Sequence, residues 1–421
     1  MTDKLVPRLR FPEFRGAGEW EEKPLKKIAS RRTERNRGGS LVRVLTNSAE
    51  YGVVDQRNYF DKDIATQGNL ENYLIVDSGD FVYNPRISAF APVGPISKNC
   101  VAKGVMSPLY TVFRFNSPDN DFYAHYFKSS AWHSYMRQVG STGARHDRMA
   151  IANTDFMAMP LPTPSLKEQQ KIADCLASLD DLIAAHTDKL DALKTHKKGL
   201  MQQLFPREGE TVPRLRFPEF RGAGEWEVKS LASFAVIVRG GSPRPIDEYI
   251  TDDSSGLNWL KIGDIDKESK FVTSTKEKVI PSALAKTRVV NPGDLILSNS
   301  MSFGRPYILE IQTCIHDGWI AVSEIDSSMY RDYLYYLIMT SASQAYFLNN
   351  AAGSGVQNLN ADIIKLLPIP YPSKKEQQKI ADCLTSLDDL ITAQSEKIAA
   401  LKQHKQGLMQ QLFPSNPVDS P

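Results

Sequence analysis

Two blocks of sequence occur twice in this chain, and the repetition constrains the fold more than any other feature. The sixteen residues VPRLRFPEFRGAGEWE occupy positions 6–21 and recur unchanged at positions 212–227. The ten residues KEQQKIADCL follow each of them, at 167–176 and again at 375–384. Blocks repeated in one order indicate a tandem duplication of a unit of about 200 residues. The chain is therefore expected to fold as two copies of one scaffold.

Between the repeated blocks the two copies diverge almost completely. The segment from Arg31 to Arg43 has no counterpart that aligns in the second half. The inserts, 22–166 and 228–374, are each large enough for one globular domain. An identical frame around two unlike inserts predicts one molecule that presents two different recognition surfaces.

Composition bounds the class of protein without pointing to a partner. The 421 residues include 51 Lys and Arg against 49 Asp and Glu, so a net charge of +2 gives no overall attraction to nucleic acid or membrane. No apolar run approaches the roughly 18 residues of a membrane span, and the N-terminus lacks a signal peptide, which predicts a cytoplasmic protein. Cys175 and Cys383 fill the same slot in the two copies and are expected to be buried, reduced thiols.

The inserts show patterns of both strands and helices, which predicts mixed α/β domains. Short strand-like runs lie at 73–76, 81–83 and 110–115 in the first insert and at 259–262 and 294–297 in the second. Helical stretches follow at 122–139 and 329–348. The order of the strands in a sheet does not follow from these patterns.

Each insert ends in alternating prolines followed by a helix start. Prolines at 160, 162 and 164, and again at 368, 370 and 372, require an extended backbone. Ser165 with Glu168, and Ser373 with Glu376, have the spacing of capping boxes, in which both side chains bond amide groups of the first helical turn. The sequence thus predicts where both helices begin.

Both helices carry a narrow apolar seam with heptad spacing, which is typical of a coiled coil with one partner helix. The seam residues are Ile172, Leu176, Leu179, Ile183, Leu190, Leu193, Leu200 and Leu204 in the first copy, and Ile380, Leu384, Leu387, Ile391, Ile398, Leu401, Leu408 and Leu412 in the second. Polar residues interrupt the seam at matching positions, and we expect them to fix the register of the pair: His186 and Gln394 in one, Lys197 and Lys405 in another. Two copies related by an approximate two-fold axis would pair these helices antiparallel, with one insert near each end.

The predicted fold class is α+β. It consists of two mixed α/β recognition domains, each followed by a long helix, with the two helices paired as an antiparallel coiled coil in a pseudo-two-fold tandem duplication. The expected segments are a first recognition domain at 1–163, a first spacer helix at 164–206, a second recognition domain at 207–371, and a second spacer helix with a tail at 372–421.

Motifs of common enzymes are missing from the sequence. There is no GxxxxGK phosphate loop, no GxGxxG after a strand and no HExxH, and the seven histidines show no metal-ligand spacing. Carboxylates at 264–268 resemble a nuclease site only as far as many charged loops do. We therefore expect no catalytic residue, no metal and no cofactor in this chain. A stand-alone nuclease or methyltransferase stays an alternative, as does a coiled-coil adaptor that does not bind DNA.

Candidate DNA contacts come from two kinds of segment. A basic run between positions 23 and 43 favours phosphate contacts, and its candidates are Lys26, Lys27, Arg31, Arg32, Arg35 and Arg37. A Gly-Ser loop in each insert is followed by side chains able to read base edges: Arg145 and Arg148 in the first, Gln357 and Asn358 in the second. These loops also have the ordinary composition of turns, and the basic run also has the composition of a solvated helix face. Both segments therefore have an alternative interpretation without a role in binding.

Taken together, these motifs resemble the specificity (S, or HsdS) subunit of type I restriction-modification systems. The resemblance rests on VPRLRFPEF followed by tryptophan, on the strand starts Gly79-Asp80-Phe81 and Gly293-Asp294-Leu295, on the Gly-Ser loops, and on EQQKIA, LDDLI and GLMQQLF in both helices. It covers nearly the whole chain, twice, and the helix motifs are its most specific part.

The resemblance implies a non-catalytic subunit that recognises double-stranded DNA. In that family each insert is a target recognition domain for one half of a split site, and the helices form the spacer. Two modification subunits, which carry S-adenosylmethionine, and restriction subunits with ATP- and Mg-dependent translocation would be the partners. Further candidate contacts follow the GD strands: Asn84 and Arg86 in the first domain, and Asn299, Ser300 and Arg305 in the second. These two segments differ from one another, and the first departs from the family pattern. Residue roles known for the family are therefore assigned more safely in the second domain.

Overall fold

The computed structural model describes residues 5–59, 67–142, 147–266, 268–299, 303–351 and 359–414. It divides into two compact units, Met1–Thr187 with Glu396–Pro421, and Asp188–Ser395. Each unit contains one insert and part of each long helix. The four segments of the sequence prediction do not coincide with these units, because both helices contribute to both.

The first unit is built from short strands and helices around one aromatic core. Its strands are β1 (Glu21–Pro24), β2 (Ala29–Arg32), β3 (Leu45–Ser48), β4 (Gly52–Asp55), β5 (Leu74–Val76), β6 (Phe81–Tyr83), β7 (Ile96–Lys98), β8 (Gly104–Met106), β9 (Thr111–Phe115), β10 (Ser141–Thr142), β11 (Met149–Ala150) and β12 (Pro160–Thr163). Its helices are α1 (Leu25–Ile28), α2 (Gln56–Tyr59), α3 (Asp121–Tyr126), α4 (His133–Val139), α5 (Asn153–Met157) and the long α6 (Leu166–Leu204), whose first part lies in this unit.

A four-stranded antiparallel sheet, in the order β2-β9-β6-β7, forms the centre of the first unit. Phe81 and Phe113 pair across it with their rings 5.6 Å apart, and both are fully buried. The helices α3 and α5 cover this face through Tyr123, which stacks on Phe115, and Phe156, which packs on Phe113. The burial of these aromatic side chains positions the loops that leave the sheet.

The second unit has strands of similar length arranged in larger sheets. They are β13 (Glu227–Ser230), β14 (Val236–Arg239), β15 (Ile250–Thr251), β16 (Leu257–Leu260), β17 (Phe271–Val272), β18 (Glu277–Val279), β19 (Arg288–Val290), β20 (Leu295–Ser298), β21 (Pro306–Leu309), β22 (Thr313–Ile315), β23 (Trp319–Ser323) and β24 (Pro368–Tyr371). Its helices are α7 (Arg331–Ile338), α8 (Ser341–Asn350), α9 (Ala361–Lys365) and the first part of α10 (Lys374–Leu412).

Two five-stranded sheets, β14-β23-β20-β21-β17 and β15-β18-β16-β22-β19, organise the second unit. Most of their pairs are antiparallel, but β16 with β22 and β17 with β21 run parallel. The strands expected at 259–262 and 294–297 are confirmed in outline as β16 and β20. The short parallel pairs carry no alternating pattern, which is why the sequence did not predict them.

Burial along the long helices follows the heptad seam. Every seam position in α6 and α10 is buried or half-buried, including the polar residues His186, Gln394, Lys197 and Lys405. Within the first unit Lys405 forms an ion pair with Asp180, and within the second Lys197 forms one with Asp388. The two seam lysines therefore each neutralise an aspartate of the other helix inside one unit.

The repeated blocks meet in each unit and form one joint. Arg10 donates to both carboxylate oxygens of Glu168 at 2.7 and 2.8 Å, and its side chain is 8% and that of Glu168 1% exposed. Arg216 and Glu376 repeat this pair at 2.6 and 2.8 Å with the same burial. The Glu168 carboxylate raises the pKa of the Arg10 guanidinium. The repeated sequence is thus explained by a structural role.

The same block also binds the end of the other long helix. In the first unit the Leu9 amide donates to the Gln411 carbonyl, and in the second Leu215 donates to Gln203. The buried Trp20 and Trp226 lie near the ends of the two blocks and pack against Phe122 and Tyr333. Each block therefore joins the start of one helix, the end of the other and one insert.

Three expectations need correction. The capping boxes are only half formed: Ser165 accepts from the Glu168 amide at 3.3 Å, but the Glu168 carboxylate bonds Arg10 instead. The stretches at 122–139 and 329–348 are each two helices with a break, α3 with α4 and α7 with α8. Cys175 and Cys383 are half-buried rather than buried, because they flank the seam. None of the described helices is long and apolar enough to cross a bilayer.

Candidate nucleic-acid interface

Strand direction gathers several loops of the first unit at one edge of its sheet. Strands β2 and β6 both run antiparallel to β9, so they point the same way and end at the same edge. The segments 33–37 and 84–95 leave the sheet there. We call this set, with 147–148, the first loop edge. It brings together parts of the chain that are far apart in sequence.

Hydrogen bonds fasten two of these segments to each other. The Ile87 amide donates to the Asp147 carbonyl, and the Met149 amide donates to the Pro85 carbonyl, both at 2.9 Å. Arg86 and Arg148 are therefore directly opposite in a short antiparallel bridge. The guanidinium of Arg86 is 66% exposed and lies 3.9 Å from the Asp147 carboxylate. The structure thus unites two candidate arginines that the sequence placed about 60 residues apart.

Asn84 helps to hold this edge together. Its side-chain amide donates to the Asn47 carbonyl at 2.8 Å, and its side-chain oxygen accepts from the Arg86 amide at 3.0 Å. The side chain is half-buried and supports the backbone that carries Arg86, and its contact with DNA stays a prediction.

The basic run of the first insert is divided between the two edges of the sheet. Lys26 and Lys27 are exposed on α1, before β2, where the Lys27 carbonyl accepts from Asn116 beyond the end of β9. That is the edge opposite to Arg86. Arg35 and Arg37 are exposed on the turn after β2, at the first loop edge.

The two arginines inside β2 are partly engaged within the protein. Arg32 lies 3.7 Å from Asp77, and the Nε of Arg31 is buried without a hydrogen bond to any described residue. The six candidates therefore do not share one surface, since Lys26 and Lys27 lie at the opposite edge and Arg31 and Arg32 are half-buried, and their contacts with phosphate stay a prediction. Arg145 lies outside the described residues, as do Ser300, Gln357 and Asn358.

The second unit builds a corresponding edge from different residues. Strands β14 and β20 are both antiparallel to β23 and end together. The Gly240 amide donates to Trp319, and the Asn299 amide to Gly318, which closes the segments that follow β14 and β20 onto the one that precedes β23. We call residues 240–246, 299, 303–305, 316–318 and 359–360 the second loop edge, together with Arg239 at the end of β14.

Asn299 and Arg305 lie at this edge, but only part of each side chain is accessible to a DNA ligand. Asn299 is 6% exposed, and its amide donates to the Asp317 carbonyl at 3.1 Å, so we reassign it from base contact to loop support. Arg305 lies over the Tyr307 ring at 5.7 Å, with its Nε buried and unbonded among the described residues. Its remaining guanidinium nitrogens keep it a candidate contact.

Two arginines that the sequence analysis missed are strongly exposed cations of the second loop edge. Arg239 and Arg244 are 59% and 81% exposed, and lie 3.8 and 3.6 Å from the Asp317 carboxylate. Ser242 donates to the same carboxylate at 2.7 Å and lowers the pKa of Asp317, which is therefore charged. The signal in the sequence is the turn-forming run Arg-Gly-Gly-Ser-Pro-Arg-Pro at 239–245.

Beside these arginines is a shallow pocket of about 680 Å³. Its lining includes Pro243, Pro245, Trp259 and His316 with Arg244 and Lys261 at the rim. Burial lowers the pKa of His316, and its Nδ1 accepts from the Gly318 amide at 2.7 Å, so the imidazole is neutral. The pocket offers apolar and aromatic surface next to positive charge.

The Gly-Asp pairs at 79–80 and 293–294 are turns that start a strand. Gly79 and Gly293 have φ of +86° and +95°, where a side chain would be strained. Asp80 is fully buried and accepts from Arg114 at 2.6 Å, and Asp294 accepts from the Asn291 amide at 2.8 Å. These motifs shape the domains and lie within the protein, so they are not contacts.

Both loop edges share one chemical design. Exposed arginines lie within 4 Å of an aspartate, Arg86 beside Asp147 and Arg239 beside Asp317, and the Nε of Arg239 also donates to the Asp317 carbonyl at 2.8 Å. An oriented guanidinium can donate two parallel hydrogen bonds to a guanine edge or a phosphate. Among the described residues no group of His, Cys, Asp and Glu could hold a metal ion.

Comparison with known proteins places this architecture in context. The family model of the type I restriction modification DNA specificity domain matches the chain twice, over 19–195 and 223–403. The specificity subunit of the type I restriction enzyme MjaVIII of Methanocaldococcus jannaschii is 24% identical over 324 residues, 74% of each chain. The putative MjaX specificity subunit of the same organism is 24% identical over 276 residues. That match covers 63% of this chain and 61% of the relative, so this chain spans somewhat less than two thirds of that protein.

A solved structure shares the fold along nearly the whole chain. It comes from work on complex assembly and conformational transition of the type I restriction-modification system, and superposes with a TM-score of 0.61 at 18% identity. The superposition covers 94% of this chain and 97% of the other.

Proposed function

Because the chain belongs to the family of type I restriction-modification DNA specificity domains, we propose that it recognises a split DNA site, with one half-site bound by each loop edge. It would direct methylation and restriction by other subunits and carry out no chemistry itself. The observation that carries the proposal is the repeated edge: one scaffold presents exposed arginines beside an aspartate twice, on loops that differ in sequence.

Unlike loops on a repeated frame suit an asymmetric, bipartite target. The backbone of a DNA duplex has approximate two-fold symmetry, so two equivalent frames can dock on it in the same way. Base edges carry the sequence, and the side chains that face them differ between the units. We therefore expect two different half-sites rather than a palindrome.

The long helices would set the distance between the half-sites. The heptad burial and the ion pairs of Lys197 with Asp388 and of Lys405 with Asp180 support an antiparallel coiled coil. In such a pair, the length of the helices rather than the loops fixes the spacer.

The partners follow from the family and are proposals for this chain. We expect two modification subunits that bind S-adenosylmethionine, and restriction subunits that use ATP and Mg, all acting in the cytoplasm on double-stranded DNA. The exposed residues 15–19 and 221–225 of the repeated blocks are identical and would offer equivalent surfaces to two equivalent partners, whereas the loop edges differ.

Salt-dependent DNA binding tests the proposal against the adaptor alternative. The full chain, assembled with the modification subunits of its host, should bind its target with a slope of log K against log salt of about −0.9 for each neutralised phosphate. Arg86→Ala should weaken target binding by roughly ten- to a hundredfold, as expected for loss of a bidentate base contact. The matched variant Lys26→Ala/Lys27→Ala should change it by less than about twofold, since these lysines lie at the opposite edge.

Three results would count against the proposal. A binding constant that is independent of salt would favour the adaptor. Equal losses for the arginine and lysine variants would reject the loop edge as the binding surface. Cleavage or methyl transfer by the purified chain alone would favour a stand-alone enzyme.

A further inference from the structure

One phenylalanine of the first loop edge is exposed although two smaller apolar residues that follow it are buried. Phe90 is 80% exposed, whereas Ala91 is 6% and Val93 0% exposed. Full burial of a phenylalanine is favourable because it removes a large apolar surface from water. The loop instead buries two small apolar residues and leaves its largest one in solvent.

Backbone hydrogen bonds fix the loop near its tip and at its base, so the conformation of the backbone itself exposes Phe90. Ser88 and Ala91 exchange two backbone hydrogen bonds of 3.1 Å, which leaves only residues 89 and 90 at the tip. At its base the Asn84 amide donates to the Pro95 carbonyl at 3.0 Å. A Cβ on Gly94 would come within 2.2 Å of the Asn84 carbonyl oxygen, so the loop closes tightly on itself.

Positively charged side chains lie on the loop of Phe90 and in the cleft that Phe90 borders. Arg86 lies four residues before Phe90 in the same loop, with a side chain that is 66% exposed. Phe90 also lines a cleft of about 800 Å³ within the first unit. Of the cations that line this cleft, Lys405 is buried and paired with Asp180, whereas Arg8, Lys128 and Lys402 are exposed. Exposed cations near the ring can contact phosphates.

We propose that Phe90 is a wedge that inserts between two stacked bases of the target duplex, at or beside the first half-site. The proposal rests on the proposed function and adds a residue that reads the deformability of DNA instead of a base edge. Rigid apolar side chains flanked by cations are the groups that unstack base steps in bent DNA. Unstacking costs the least free energy at flexible base steps such as TA and CA. Phe90 therefore favours targets that contain such a step, without a hydrogen bond to a base.

The second unit has a shorter connection at the corresponding place, which makes the wedge a property of one half-site. Twelve residues, 84–95, connect β6 with β7, whereas seven, 299–305, connect β20 with β21. The five extra residues of the first unit leave room for the tip that carries Phe90. We expect unstacking on one side of the split target and none on the other.

Base analogues that fluoresce on unstacking test the wedge. The full chain with its modification subunits is bound to duplexes in which one analogue replaces, in turn, each base of both half-sites and of the adjoining spacer. Wild type should raise the emission at one step near the first half-site, and Phe90→Ala should abolish that rise. Affinity of Phe90→Ala for the target should fall roughly ten- to a hundredfold, the range for loss of an aromatic stack on a base.

Two further variants distinguish insertion of the ring from a general loss of exposed apolar surface. Phe90→Trp should keep the emission rise. Val101→Ala, which removes an exposed apolar side chain following β7 at the opposite sheet edge, should keep both the rise and the affinity. Because Phe90 is exposed, its substitution leaves the core of the unit intact.

The remaining outcomes overturn the inference in distinguishable ways. If wild type binds its target specifically and no step gains emission, or Phe90→Ala keeps the gain, there is no wedge although the proposed function stands. If Phe90→Ala impairs assembly with the modification subunits and leaves DNA binding of the assembled fraction unchanged, Phe90 is a protein contact. If wild type does not discriminate its target, the proposed function and the wedge both fail.

Discussion

At the scale of single residues, the repeated blocks stabilise the fold through buried ion pairs. Arg216 and Glu376 face each other with side chains 8% and 1% exposed, so removal of one leaves an uncompensated buried charge. Glu376→Ala should lower the free energy of unfolding by about 3–5 kcal/mol, seen as an earlier urea transition. Glu219→Ala breaks the exposed pair with Lys379, 3.6 Å apart, and should cost about 0–1 kcal/mol. Equal losses of stability in the two variants would contradict the structural role of the buried pair.

A buried histidine predicts how the first unit responds to acid. His125 is 7% exposed, and burial lowers its pKa from 6.5 to about 4, with Lys128 and Lys405 adding to the effect against Asp180 and Asp121. The unfolded chain binds this proton at a higher pH than the folded chain does. Stability from the neutral form is therefore complete above pH 6.5 and is lost as the pH falls towards 4, by roughly 3 kcal/mol.

The equivalent position of the second unit supplies the comparison for this prediction. Trp20 packs edge-on against Phe122 as Trp226 does against Tyr333, which places His125 where the other unit has Tyr336. His125→Phe should flatten the fall in stability between pH 6.5 and 4 relative to wild type, measured by urea unfolding at each pH. The control His196→Gln, at an exposed site, should keep the wild-type profile. An unchanged profile in His125→Phe would contradict the assignment.

At the scale of elements, the long helices make a prediction about spacer length. Seven residues inserted after Asp188 and after Glu396 keep the heptad pattern and lengthen both helices by about 10.5 Å. This is close to three base-pair steps of about 3.4 Å, so the modified DNA motif should gain about three base pairs between its halves. Seven residues inserted in the exposed loop at 208–210 should leave the spacer unchanged. A constant spacer in both variants would reject the helices as the ruler.

The elements also show which features of the fold local sequence patterns can predict. The heptad seam and the proline exits were predictable because they depend on local spacing, and the structure has α6, α10, β12 and β24 at those places. The loop edges were not, because they result from strand direction. Arg86 and Arg148 meet through a register that no local pattern contains, and Lys26 is excluded by the same topology. The internal hydrogen bonds of Asn84 and Asn299 were not predictable either, because composition does not reveal which amide groups the fold itself uses.

At the scale of the whole molecule, identical and divergent residues have different roles. Residues identical in both copies join helices to domains, as Arg10 with Glu168 and Arg216 with Glu376 do. Residues that differ form the two loop edges. A frame used twice cannot distinguish two half-sites, so specificity must reside in the inserts.

The most direct test of this division of roles is a map of methylated adenines across the genome of cells that carry the partner subunits. The cells would carry no specificity chain, the wild-type chain, or a chain with residues 22–166 replaced by the matching insert of another family member. Wild type should produce one split motif that is absent without the chain, and the exchange should alter one half of that motif and keep the other. A motif that does not depend on the chain, or an exchange that changes both halves, would contradict the assignment of specificity to the inserts.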